Sequence, residues 1–300
     1  MESVIVTMRK YLLCATALTM LAGSPAFAAD LFVPGPGATL AEPQWDAFFS
    51  AGGGYVWGAV EDLDLLGEMD DFAAEVRSTA AFQLDNGFGV QGDLVFKSQG
   101  LGIPDLDLSA TNTDVAGHAF YRSGDFLVGA FGQYGVSSMD MLPLDIDTTY
   151  FGAEAQAYLD RFTLYVQGGY QSQDWGVPDA QVAGYFLTGE GRYFVTDNLK
   201  LNLEAGLSTL DLDGDFTSNT VTLGAGVEYR FDDLPISTFL TVDHSITTYS
   251  DAADFSVTDT RLLAGVKLNL GTDTLFARDR AGASLDPVRT APIPAFFMLP

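Results

Sequence analysis

The chain has 300 residues, with 40 acidic against 14 basic side chains, a formal net charge of −26, 32 glycines and 12% aromatics. That balance excludes nucleic acid as a partner, because phosphate recognition needs clustered Lys and Arg. The aromatic content excludes an acidic disordered chain over most of the length.

The first segment reads as a targeting signal. Met8-Arg9-Lys10 is a positive n-region, Tyr11 to Gly23 an apolar stretch, and Ala26-Phe27-Ala28 a small-residue cleavage site ahead of Ala29-Asp30. The apolar stretch falls short of the roughly 20 residues that cross a bilayer. Ser24 rather than Cys follows Gly23, which disfavours lipid attachment. The expectation is a cleaved signal peptide over 1–28. Its removal takes away Cys14, the only cysteine, and leaves no thiol, disulfide or Cys metal ligand. No cofactor and no metal site are expected. Asp211-Leu212-Asp213-Gly214-Asp215 resembles part of a calcium loop but lacks the downstream Glu of an EF-hand. No later stretch is apolar enough for a transmembrane helix, so any crossing of a membrane falls to strands.

Residues 29–45, rich in Pro, Gly and Ala, read as a periplasmic lead-in. Strand-like segments follow at 46–58, 71–82, 88–98, 111–122, 126–137, 148–159, 162–173, 182–194, 199–210, 219–231, 236–249 and 257–270. In 148–173, Phe151, Ala153, Ala155 and Ala157 alternate with Gly152, Glu154, Gln156 and Tyr158. After Asp160-Arg161, Phe162, Leu164 and Val166 alternate with Thr163, Tyr165 and Gln167. Period-two alternation puts one set on each face of a strand. The segments run roughly 11 to 14 residues, well beyond the usual soluble strand and enough for the ~9–11 residues of a tilted membrane strand.

The connections alternate. Gln83–Gly87, Ser123-Gly124-Asp125, Asp160-Arg161, Val195–Asn198 and Asp232–Pro235 are tight and carry hairpin chemistry. The others are longer and acidic, such as Glu61 to Asp71 and Asp140 to Asp147. Short turns on one rim and long loops on the other match an outer-membrane barrel with periplasmic turns. Aromatics mark the strand ends. Phe82, Phe88, Tyr121, Phe126, Tyr158, Phe162, Tyr193, Phe194, Tyr229 and Phe231 lie on the turn side. Trp57, Phe96, Tyr134, Phe151, Tyr170, Tyr185 and Tyr249 lie on the loop side. Such rings favour the two membrane interfaces. A barrel needs closure, because an open edge strands backbone groups in hydrocarbon, and Thr260–Leu270 is suited to pair with Asp46–Gly58.

The export signal ending Ala26-Phe27-Ala28-Ala29-Asp30, the hairpin array and the closing segment Gly265-Val266-Lys267-Leu268-Asn269-Leu270 together resemble the porin-like outer-membrane β-barrels of Gram-negative, alphaproteobacterial-type bacteria. The closing segment is similar to the assembly signal of such barrels, but lacks a terminal aromatic and is followed by a tail. The fold expected is all-β: a transmembrane antiparallel up-and-down barrel of about 12 strands over 46–270. The tail, 271–300, reads as a flexible periplasmic extension, with a plug or a dock for a periplasmic partner as the alternative. Asp273, Asp279 and Asp286 balance Arg278, Arg280 and Arg289 within it.

With the apolar set facing lipid, the lumen receives Glu75, Asp93, Glu154, Glu190, Glu204 and Glu228 against Arg77, Lys97, Arg192, Lys200, Arg230 and Lys267. Opposed charges of this kind orient a passing solute at a constriction, or else satisfy one another in a narrow barrel. Glu190, Arg192, Lys200, Asn202 and Glu204 are expected to pair across one hairpin, and Asp114 and Asp243 to join an acidic, cation-drawing mouth. The leading function is a porin-like channel for small hydrophilic solutes, weakly cation-preferring and not an enzyme. The alternatives are a non-conducting structural or surface-interaction barrel and a lipid hydrolase. Against the hydrolase, His118 has no serine two residues on, and Ser245 beside His244 faces the opposite way. The expected partners are outer-membrane lipid and lipopolysaccharide, the barrel-assembly machinery and small solutes.

Overall fold

The computed structural model describes residues 44–61, 68–100, 109–139, 142–175, 181–212, 216–250 and 255–289. The expected signal peptide, nearly all of the lead-in, the hearts of the acidic loops and residues 290–300 lie outside them. Twelve strands follow in order: β1 (Gln44–Glu61), β2 (Glu68–Gln83), β3 (Phe88–Gly100), β4 (Ser109–Arg122), β5 (Phe126–Met139), β6 (Leu142–Leu159), β7 (Phe162–Asp174), β8 (Gln181–Thr196), β9 (Leu199–Leu212), β10 (Phe216–Arg230), β11 (Ile236–Ser250) and β12 (Phe255–Leu270). One short helix, α1 (Leu275–Ala281), comes after them. The strands form a closed barrel in which each pairs with its sequence neighbours and β1 pairs with β12. Closure is antiparallel and runs from Ala47 opposite Leu270 to Glu61 opposite Ser256.

The expected segments correspond one to one with these strands. Most differences are extensions toward the loop rim, the largest in β6, which begins at Leu142 instead of 148, past a register irregularity between Ser138 and Met139. The tight turns stand where the sequence placed them. Asp160 holds a positive φ of 49° in the two-residue turn between β6 and β7.

Alternation sorts the faces as expected. Leu164, Leu187, Leu203 and Leu223 stand exposed on the outside, Leu203 at 70%, while Gln91, Asp93, Asn112, Gln133 and Gln156 are buried within. A water-soluble sandwich has the reverse arrangement, and an exposed apolar band around the whole wall suits hydrocarbon. Three aromatics depart from the expected belts: Tyr158, Phe194 and Tyr249 are buried. Tyr158 shares the inward parity of Glu154 and Gln156, and Phe194 packs edge-on against Phe276 of α1, with ring centroids 5.3 Å apart.

Glycine provides clearance at one point of the seam. A Cβ added at Gly54, in the Gly52-Gly53-Gly54 run of β1, would fall on the Leu262 carbonyl of β12. The run lets the first and last strands close.

Candidate functional site

The main departure from expectation lies after β12. Residues 271–289 are not a free periplasmic extension; they turn back into the barrel. Gly271 makes the reversal at φ 106°, open to a residue without a Cβ. Thr274 caps α1 by accepting the Ala277 N–H at 3.0 Å. The Phe276 N–H donates to the Asp197 carbonyl, and Arg280 donates to the Asp160 carbonyl, so α1 lies at the turn rim. From there 282–289 runs up the lumen with neither helix nor strand.

The placement inside is fixed by partners on every strand. In chain order of the wall, the segment bonds to Asp46, Arg77, Gln91, Arg122, Gln133 and Gln156 on β1 to β6. It then bonds to Thr163, Arg192, Glu204, Arg230, Asp243 and Asn269 on β7 to β12. Only a segment inside a closed barrel reaches all twelve strands. The physical reason is charge and satisfaction: an inward wall crowded with Gln, Arg and Asp needs partners, and the tail brings peptide groups and opposed charges.

Each residue expected in the lumen faces inward, and the plug joins several of them. Arg77 lies between Asp93 (2.8 Å) and Asp286 of the plug (2.5 Å). Arg192 contacts Glu190 (2.6 Å), Asp279 (3.2 Å) and Asp286 (2.7 Å). Glu228 gathers Lys200 (3.2 Å), Lys267 (3.0 Å) and Arg278 (3.6 Å). Glu204 takes Arg289 at 2.9 Å, Glu75 lies 3.6 Å from Arg261, and Arg230 donates to the Thr272 carbonyl. Glu154 accepts from the Tyr165 hydroxyl at 2.7 Å and lies 2.9 Å from His118.

Two expectations are corrected here. The β8–β9 charges do not neutralise one another across their hairpin. Glu190 stands directly opposite Glu204, a like-charge pair that costs stability; Arg192 on the same strand and Arg289 from the plug offset it. Asp114 belongs to the inner network and not to an outer mouth, while Asp243 borders both cavities described below. Asp114 is buried 3.6 Å from Lys97, and Asp243 contacts Arg261 and Arg289. Arg122 and Arg261 were missed, although each continues the inward parity of its own strand. Asp46 was missed too, although it shares the inward parity of Phe48 and Ser50 on β1; the tail charges were not placed in the lumen because no period ties them to the wall.

His118 is enclosed by Glu154 and Asp93, and His244 bonds to Thr260 at 2.8 Å. Among the described residues neither histidine bonds to a serine, and no group of side chains is set to hold a metal ion.

The plug leaves two cavities. One, of 180 Å³, is lined by Ser50, Glu75, Lys200, Glu204, Asp243 and Arg289 among others. The second, of 260 Å³ toward the loop rim, is lined by Asp70, Asp71, Gln173, Thr220, His244 and Asp259 among others. Glu204, Asp243, Arg261, Val288 and Arg289 border both, so the Arg289 contacts separate a lower chamber from an upper vestibule.

No protein-family model and no curated protein matches the chain. Among solved structures, the COG4313 outer membrane channel from Pseudomonas putida F1 superposes with a TM-score of 0.53 at 12% identity, covering 79% of this chain and 100% of that one. The translocator domain of the autotransporter NalP from Neisseria meningitidis matches less well, with a TM-score of 0.45 at 11% identity over 86% of this chain and 97% of that one. The KdgM porin in complex with disordered oligogalacturonate gives 0.42 at 14% identity over 74% and 99%. At these identities the likeness is one of fold: the chain folds as an outer-membrane β-barrel.

Proposed function

We propose that the protein is an outer-membrane channel for passive diffusion of small hydrophilic solutes, narrowed by its own C-terminal segment. The observation that carries this reading is the pair of cavities, each bordered by charged side chains, that share Arg289, Glu204 and Asp243. A barrel built only as a structural wall has no need of such space beside its plug. In this reading the turn rim, where β1 begins and β12 ends, faces the periplasm and the loops face outward. Lipopolysaccharide and lipid surround the wall, and the barrel-assembly machinery inserts it. Its alphaproteobacterial character rests on the export signal and closing segment alone.

A weak cation preference belongs to the same proposal. The vestibule wall carries Asp70, Asp71, Glu204, Asp243 and Asp259 against Arg261 and Arg289, and rings of one sign select the opposite ion. Single-channel recording in planar bilayers tests both parts. Small conductance steps with a cation-selective reversal potential under a salt gradient support the reading, and anion selectivity overturns its second half.

The plug's bonds to all twelve strands favour one rival, a sealed barrel acting through its loops. Liposome swelling with small sugars and amino acids separates the two, since a sealed barrel gives none.

A further inference from the structure

The plug is held through its peptide groups as much as through its side chains. Gln91 donates from Nε2 to the Leu285 carbonyl (2.6 Å) and accepts the Leu285 N–H at Oε1 (3.2 Å). Gln133 does the same at Val288, at 2.9 and 2.7 Å. A primary amide that takes both the N–H and the C=O of one residue acts as a neighbouring strand does in peptide capture by a sheet edge. Arg122 donates to the Gly282 carbonyl, Gln156 and Arg192 to that of Ser284, and Gln167 to that of Asp286. Main-chain contacts of this kind are indifferent to sequence.

Selection enters at three places. Leu285 fills an apolar cluster with Phe120, Leu127, Tyr158 and Tyr165. Asp286 sits between the Arg77 and Arg192 guanidinium groups, and Arg289 between Glu204 and Asp243. None of these contacts depends on covalent attachment through Gly271.

We infer that the lumen is a binding site for an extended peptide, occupied in this state by the chain's own residues 283–289. In trans it takes short peptides with an apolar residue, an acid directly after it, and a base three residues beyond the acid. The binding site stands on these contacts alone; naming peptides as the solute class rests on the lumen being a solute pathway.

The test keeps the whole chain until it has folded. A protease site inserted between Asp273 and Thr274, beside the exposed Asp273, is cut in detergent. Size exclusion with mass spectrometry then follows the released fragment. A fluorescent peptide of sequence Ala-Ser-Leu-Asp-Pro-Val-Arg, that of residues 283–289, is added and its anisotropy read. Retention of the fragment without a tether, or its exchange for the labelled peptide, supports the site. Replacing the peptide's Asp with Asn and its Arg with Gln should weaken binding at least tenfold, as should Gln91→Leu with Gln133→Leu in the barrel. Loss of the fragment with no binding of the peptide overturns the inference. If the insertion prevents folding, amide exchange at Leu285 and Val288 of the unmodified chain is measured with excess peptide; acceleration supports displacement and no change refutes it. Swelling of liposomes by the cut, fragment-free barrel is read separately. Swelling without peptide binding sinks this inference and leaves the channel, while binding without swelling does the opposite.

Discussion

Replacing Asp286 with Asn should loosen the plug while leaving the barrel intact. Its carboxylate takes one charge-assisted bond from Arg77 at 2.5 Å and one from Arg192 at 2.7 Å. When buried, such bonds contribute about 1.5–3 kcal/mol each. Two features reduce that figure. The Asp286 side chain is 43% exposed, so water screens the pair. Arg77 also keeps Asp93, and Arg192 keeps Glu190 and Asp279, so neither guanidinium is left buried alone. Asn restores one acceptor but turns an amide donor toward a cation. The net loss should be about 1–3 kcal/mol, or roughly a 5- to 150-fold shift toward release. Hydrogen exchange reads this directly: the Leu285 and Val288 amides, held by Gln91 and Gln133, should exchange faster by that factor while amides of β3 to β8 hold their rates. Unchanged exchange at both residues refutes the clasp. Acceleration shared equally by the strands would mean that the substitution weakened the barrel and not the plug.

Arg289→Ala removes the group dividing the two cavities and leaves Glu204 and Asp243 without that cation; single-channel conductance should rise and cation selectivity increase. Ala155→Arg places a charge on the outer face of β6, midway between the exposed Phe151 and Leu159, at a cost of roughly 2–4 kcal/mol near the bilayer midplane; a denaturant titration in lipid vesicles that finds the parent's stability would mean that the inside and outside faces are reversed. Gly54→Val drives a side chain into the Leu262 carbonyl, so β1 and β12 should fail to close, read as loss of the heat-modifiable compact band on a gel.

The barrel was legible because its signal is periodic. Alternation of Phe151, Ala153 and Ala155 with Gly152, Glu154 and Gln156 fixes two faces, and hairpin turns fix the order of pairing. The same alternation, carried to the strand ends, assigns Tyr158 inward with Gln156; the weight given to aromatics as interface markers obscured it. Arg122 and Arg261 were recoverable in the same way, from His118 and Phe120 on β4 and from Leu263 and Lys267 on β12. The plug was not. Residues 282–289 form neither helix nor strand and are held by side chains scattered over the whole wall, a set of contacts with no sequence period. Its one trace is compositional: three acids balanced by three arginines at the end of a chain that is otherwise strongly acidic.

The reversal at Gly271 also determines how the lumen is filled and emptied. The segment inside the barrel enters over the turn rim after the last strand, so β1 and β12 can zip before anything occupies the interior. Withdrawal needs no strand to part from its neighbour: the segment backs out over the same rim, hinged at Gly271. The wall and its filling are thus held by different contacts: the wall by strand pairing, the filling by side chains that reach in from all twelve strands.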